Sequence, residues 1–523
     1  MVKLSQFIFL FFQIAKPSQS KARLLYRSLL AIGFFLCGIG MKYFIIEQYG
    51  NATPFWDQWN AEWSELYQPY LNHTLSLVHL ISPHNEHRIV LTRIFALTIL
   101  KINGLWDPLL QMTLNAILHV FSMLLLLVMM MRKEIDFLSL LFTLSLLLLV
   151  VNFGFENTLW GFQSQFYFLL LCSFMAIWLW SGCAAWTVSW WVGVFMATLS
   201  YFSFASGVVT VAAGAGLFLL RAIVEGVPQK RSLLLAVLFL LLLLAGMLLA
   251  IPQLPHHLSL HAASWQTFFT VFFHILAWPY ADYPSVALWI NLPWWIVFVY
   301  QLTCSRRSDA AWLVIALGIW QLGQTASIAY GRNIGFLAFR YLDIYQINLI
   351  INLAALGVLA SWLRGHLSKI KIHAIGLLWL FPIMVGVVDS AMEKLPIELS
   401  HKKSMGQLYE RSVHTYLQTG NVDCLRLQPV PYPSWEQLRK LLDLPGLSTI
   451  LASNNGTNAP FATEDASHKE SVSGGRLLPL RQFLLRYALE MLFVGSLSIL
   501  LAVAVLLYVK RALLRDALVG SST

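Results

Sequence analysis

Two stretches of the chain carry residue types that can do chemistry at short spacing. PFWDQWNAEW, residues 54–63, sets Asp57 and Glu62 among Trp56, Trp59 and Trp63, just after an apolar run that ends near Ile46. A carboxylate there is a candidate general base, and the indoles beside it are candidate platforms for a sugar face or anchors at the headgroup layer. SPHNEHRIVLTRIF, residues 82–95, adds His84, Glu86, His87 and Arg88. Its opening predicts a helix with Ser82 as cap and Pro83 at the first helical position. At about 100° per residue, that helix gathers His84, His87 and Arg88 within an arc of about 100° and leaves Glu86 on the far side. Three donors at a positive helix end attract phosphate. The His-x-x-His spacing also admits a divalent metal, although no third ligand is visible, and solvated polar residues at a helix entry are the plain alternative.

The elements that position these stretches are apolar helices. Hydrophobic residues make up 58% of the 523 and charged residues 11%, and mean hydropathy is +0.67, which marks an all-α polytopic membrane protein. With roughly 20 apolar residues per crossing, about twelve transmembrane helices are predicted, at 28–46, 109–131, 137–152, 166–182, 185–203, 206–222, 232–252, 285–303, 310–330, 342–363, 373–389 and 487–509. Residues 266–280 are too short and interrupted for a span and predict an interfacial or re-entrant helix. The five cysteines, Cys37, Cys172, Cys183, Cys304 and Cys424, suggest packing residues and neither disulfides nor a metal motif. The net charge of +10 argues for topology signals in short loops and not for nucleic acid.

Residues 1–27 carry five Lys or Arg and no acid, and the basic pairs at 132–133, 230–231, 306–307 and 510–511 fall on the same side. By the positive-inside rule that side is cytoplasmic, so both termini lie inside. The opposite face then holds a large first outer loop, 47–108, and a small helical insert, 390–486, with a polar linker at 453–475. The last span, 487–509, and a cytoplasmic tail, 510–523, follow. Within the insert, HKKSMGQLYERSVHTYLQTGN reads as a helix closed by Gly420 and Asn421, and PSWEQLRKLLDLPG as a second, capped by Ser434. Between Phe137 and Leu220 only Glu156 is charged, and between Asp309 and Arg332 nothing is. Ionisable groups mark function inside membranes, so their concentration in the outer loops puts the candidate chemistry at the outer surface.

One span, then a large extracytoplasmic loop opening on an acid at Asp57, then about ten further spans over residues 28–389, resembles the GT-C glycosyltransferases. The chain is also similar to bacterial multi-pass proteins with DQW and PHNEHR stretches in that loop. The resemblance implies a GT-C-like transmembrane domain in the bacterial inner membrane. It also implies a polyprenyl-phosphate sugar donor and a cell-envelope glycan or lipid acceptor on the outer face. Asp57, with Glu62, is then the candidate catalytic acid pair. His84, His87, Arg88, Arg332, Arg340 and Tyr341 are candidates for the donor phosphate, where arginine can fork two hydrogen bonds. Trp56, Trp59, Glu156, Trp160 and Gln163 are candidates to line the sugar site. No cofactor is assigned beyond a possible divalent metal. A flippase for a lipid-linked saccharide and a non-catalytic envelope assembly partner are the alternatives.

Overall fold

The computed structural model describes residues 19–133, 153–224, 227–303, 308–332, 337–364, 366–451 and 475–520. These are almost entirely helical, with no β-strand among them. Ten of the described helices are long and apolar enough to cross a membrane, the architecture of an all-α, multi-pass membrane protein. The helices used below are α1 (Gln19–Tyr49), α2 (Val90–Asn103), α3 (Pro108–Arg132), α4 (Ser164–Gly182), α5 (Val188–Tyr201), α6 (Val208–Val224), α7 (Val227–Leu249), α8 (Trp265–Leu276), α9 (Val286–Thr303), α10 (Asp309–Gly331), α11 (Leu342–Leu363), α12 (Lys369–Thr419), α13 (Trp435–Leu442) and α14 (Ala488–Gly520).

The ten correspond to ten of the twelve predicted spans. The predicted span at 137–152 lies outside the described residues, as do Cys304 and all of the linker 453–475 except Gly475. The predicted span at 185–203 becomes α5, only 14 residues long. At 1.5 Å per residue that is about 21 Å, short of a ~30 Å hydrocarbon layer. Thr187 caps it by accepting from the Trp190 amide, so the chain enters it later than apolarity alone suggests. Of the predicted 266–280 segment, residues up to Leu276 lie in the 12-residue α8, again too short to cross.

Most of the bundle core is one apolar cluster built from α3, α4, α6, α10 and α11. The last helix returns to pack along the first. There Gly33, Gly40 and Gly495 let the backbones touch: a Cβ on Gly33 would stand 2.8 Å from the Gly495 carbonyl, and one on Gly495 2.7 Å from the Cys37 amide. Helices in lipid associate through such close packing, because apolar burial gives them no driving force against one another.

Outside the bundle, the first loop and the insert form a single body. Trp59, Trp63, Leu66, Tyr67 and Trp106 from the loop side share a buried cluster with Val413, Tyr416, Leu425, Leu438, Leu442 and Ile450 from the insert. The Trp63 indole donates to the Leu441 carbonyl at 2.8 Å, and the Trp106 amide to Ile450 at 2.6 Å. The insert is therefore half of a core and not an appendage. Its first helix does not start afresh: α12 runs unbroken for 51 residues through Pro382 and Pro396. It ends at Gly420 in the left-handed conformation, φ +69°. The cap expected at Ser434 is present, accepting from the Gln437 amide.

Candidate functional site

PFWDQWNAEW folds as a strained entry to a rare helix. Trp56 has φ +48°, a region that costs an L-residue and that clusters at functional sites. Its amide is held by the Pro431 carbonyl at 2.9 Å, so the insert fixes the bend. From Gln58 to Tyr67 the backbone is a π-helix, with Asp57 at its cap position. π-Helical turns also mark functional segments more often than chance.

The two acids of this stretch part company. Asp57 keeps 30% of its side chain exposed. Glu62 is buried, accepting from Gln58 at 3.1 Å, Trp106 at 3.0 Å and Gln111 at 3.0 Å. Burial pushes its carboxyl up to about 7 against the pull of those donors. Glu62 thus stitches the π-helix to α3, and nothing places it at a reacting centre. Trp59 is fully buried, edge-on to Trp106, which removes its face from any sugar. Trp56, 43% exposed, is the indole left facing out. Trp160 is buried and donates to the Phe55 carbonyl at 2.9 Å. Gln163 is also buried, in the short turn before α4.

The second stretch does not begin a helix at Pro83; α2 begins at Val90. Residues 84–87 close on themselves, with His84 and His87 exchanging both backbone hydrogen bonds, at 2.8 and 3.0 Å, around Asn85 at φ +51°. A two-residue reversal of this kind satisfies donors that a helix start would leave open, and so it outcompetes the Pro83 signal. It also abolishes the predicted arc. His84 points to Asp57 and Glu65, at 3.6 and 3.5 Å. His87 stacks on Phe204 with ring centroids 3.9 Å apart and accepts from the Ala205 amide at 3.3 Å. Arg88 donates to the Ile81 and Ala250 carbonyls. Among the described residues no group of three or more His, Cys, Asp or Glu is placed to hold a metal.

Between the start of α6 and the ends of α7 and α10 lies a cavity of about 500 Å³. Phe166, Phe204, Leu248, Ile251, Ile328 and Ile344 give it an apolar wall, and Glu86, His87, His257, His261, Arg332 and Tyr341 a polar rim. The rim is internally paired. Glu86 meets His257 at 2.8 Å and Arg332 at 3.0 Å. Burial acts to raise the Glu86 carboxyl, but His87, Arg332 and His257 outweigh it and hold it at about 2.

Beyond Tyr341 the balance is different. The Arg340 guanidinium lies 5.2 Å from the Tyr341 ring centre, 3.7 Å from Glu156, and within the field of Asp57. The Lys402 ammonium, on α12, sits 3.7 Å over the Phe55 ring, with Glu156 and Arg340 as its charged neighbours. Two cations here share one carboxylate in addition to Asp57, next to exposed Trp56. Lys402 was not legible as a site residue, because KK in a polar helix reads as solvated surface. Asp343 is held by Asn157 at 2.9 Å and not by Arg340.

No family model, no curated protein and no solved structure matches this chain.

Proposed function

We propose that this protein is a GT-C-type glycosyltransferase of the bacterial inner membrane, with both termini cytoplasmic. It would move a sugar from a polyprenyl-phosphate donor to a cell-envelope glycan or lipid on the outer face. One juxtaposition carries the reading: an apolar cavity with Tyr341 on its rim, Arg340 against the Tyr341 ring, and Lys402 and the partly exposed carboxylate of Asp57 in the field of Arg340. The wall of the cavity suits the first isoprene units of the carrier. Arg340 and Lys402 suit its phosphate, since Glu156 stands at ion-pair distance from Arg340 while the Lys402 ammonium faces the Phe55 ring. Asp57 takes the acceptor hydroxyl proton as the oxygen attacks the anomeric carbon. The breaking C–O bond leaves its electron pair on the phosphate, where the cations receive it. The orientation rests on the opposite end of the bundle, which carries Arg132, Lys133, Lys230, Arg231 and Arg364.

Asp57→Asn keeps the size of the base and removes proton acceptance. It is expected to retain binding of a polyprenyl-phosphate hexose and to lose turnover by about 10² or more. Transfer by this variant at near the wild-type rate overturns the assignment.

A lipid-linked saccharide flippase is the second reading. It is favoured by the burial of Lys42 on α1 and Asp343 on α11, ionisable groups inside span-length helices. Both lie within two turns of the helix ends that carry the site, and Lys42 donates to Thr158 there at 2.8 Å, which suits support of the site better than a path across the bilayer. A flippase would move the lipid without sugar transfer and would be indifferent to Asp57→Asn.

A further inference from the structure

His84 and His87 sit three residues apart in one turn, yet their surroundings demand opposite states. His84 is 5% exposed, edge-on to Phe162, and both of its ring nitrogens face carboxylates: Nε2 meets Asp57 at 3.6 Å and Nδ1 meets Glu65 at 3.5 Å. A neutral imidazole has one donor and one acceptor, so only the doubly protonated ring suits an acid on each side. The Asn85 side-chain amide lies 3.3 Å from Nε2, and it meets a protonated ring with its oxygen, not its NH2, turned to that edge, a rotation that exchanges two atoms of nearly equal size. His87 instead accepts from the Ala205 amide through Nδ1, which a protonated nitrogen cannot do. Burial acts to lower the His84 pKa, but Asp57 and Glu65 outweigh it and raise it to about 9. Burial takes His87 down to about 4.

Behind His84 the chain of contacts is rigid. Glu65 accepts from Arg93 at 2.5 Å, and Arg93, itself buried, also donates to the Ser82 carbonyl at the mouth of the same turn. The other charges near the pair are Glu86 on the turn, Arg332 from the end of α10, and His257, which faces Glu86.

We propose that His84 is a positioning residue for Asp57: an imidazolium clamped between Asp57 and Glu65 that holds the base in its orientation, while neutral His87 serves the cavity wall. This rests on the reading of Asp57 as base and replaces the expectation that His84 binds the donor phosphate. The turn thereby joins two tasks, since Glu86 and His87 border the lipid cavity and His84 grips the base.

The test has two arms on the full-length protein in nanodiscs. The first needs no activity. In ¹⁵N-histidine NMR, the signal lost in His84→Gln is expected to be that of an imidazolium at pH 7. Its midpoint should lie above the ordinary histidine range and fall by about one pH unit in Asp57→Asn and in Glu65→Gln. A neutral ring at pH 7, or a midpoint indifferent to both substitutions, overturns the clamp. The second arm reads transfer from a polyprenyl-phosphate hexose. His84→Gln should lower kcat about tenfold with KM changed less than about twofold, because the base is present but no longer held. His84→Lys should restore part of kcat. An unchanged kcat in His84→Gln, or no recovery in His84→Lys, overturns the positioning role. A protein that passes the first arm and shows no transfer even as wild type keeps the clamp and loses the glycosyltransferase reading.

Discussion

The front and the back of the π-helix carry the same residue types in opposite surroundings. At the front, Trp56 and Asp57 stay accessible beside cations drawn from the turn before α11 and from α12. At the back, Trp59, Glu62 and Trp63 are sealed against α3 and the insert. The difference is made by segments distant in the chain: the insert covers one side of the helix and leaves the other open. An acid among tryptophans is thus a site only where the covering segment stops.

The sharpest way to break this comparison is to truncate one indole from each side. Trp59→Ala should cost about 3–5 kcal/mol, as for a fully buried large side chain, and appear as lost expression or a much lower Tm in detergent. Trp56→Ala should leave Tm within about a degree or two while weakening sugar transfer. Equal losses of Tm would erase the distinction.

The cation pair gives the next largest effect. Arg340→Ala and Lys402→Gln should each weaken binding of a polyprenyl-phosphate analogue by about tenfold, and Arg340→Lys should recover part of it because the fork is lost. Affinity unchanged in both would return the pair to interfacial snorkelling.

A smaller effect separates the acids by pH. Glu62 titrates near 7 in the folded protein because it is buried, above the ordinary carboxylate range. Folding therefore favours its protonated form, and the stabilisation is present at low pH and lost as pH rises through about 7. Tm should fall by a few degrees between pH 5 and 8 in the wild type, and Glu62→Gln should flatten that slope. A slope retained in the variant would assign it elsewhere. Smallest of all, Arg88→Ala removes hydrogen bonds only to the Ile81 and Ala250 carbonyls and should change donor affinity less than about twofold.

These contrasts also mark what the sequence can say. Span-length apolar runs, the cap at Ser434 and the left-handed stop at Gly420 are local signals, and the structure follows them. The Pro83 helix start is local too, but it lost to the His84–His87 reversal, whose two backbone bonds no propensity anticipates. The burial of Glu62 and Trp59 was beyond reach because their cover comes from afar: Trp106 and Gln111, more than forty positions on, close over Glu62, and Trp59 shares a cluster with residues 413–450. Lys402 was hidden for the same reason: its ring partner, Phe55, is nearly three hundred and fifty positions away. Asp57 was singled out by a local pattern, an acid among tryptophans shortly after a span.

The unbroken α12 makes the site a mechanical matter as well as a chemical one. A helix of 51 residues is a rod of about 76 Å, and no loop along it takes up movement between its membrane part and Lys402. From Pro382 to Lys402 the arm is about 30 Å. A tilt of about 5° at that proline therefore carries the ammonium roughly 3 Å, comparable with its 3.7 Å distance from Phe55. A bilayer that changes how α12 leans, by thickness or by lateral pressure, changes the gap between Lys402 and Arg340. The protein thus carries a lever whose shorter arm, before Pro382, lies among the spanning helices and whose longer arm sets the spacing of its cations.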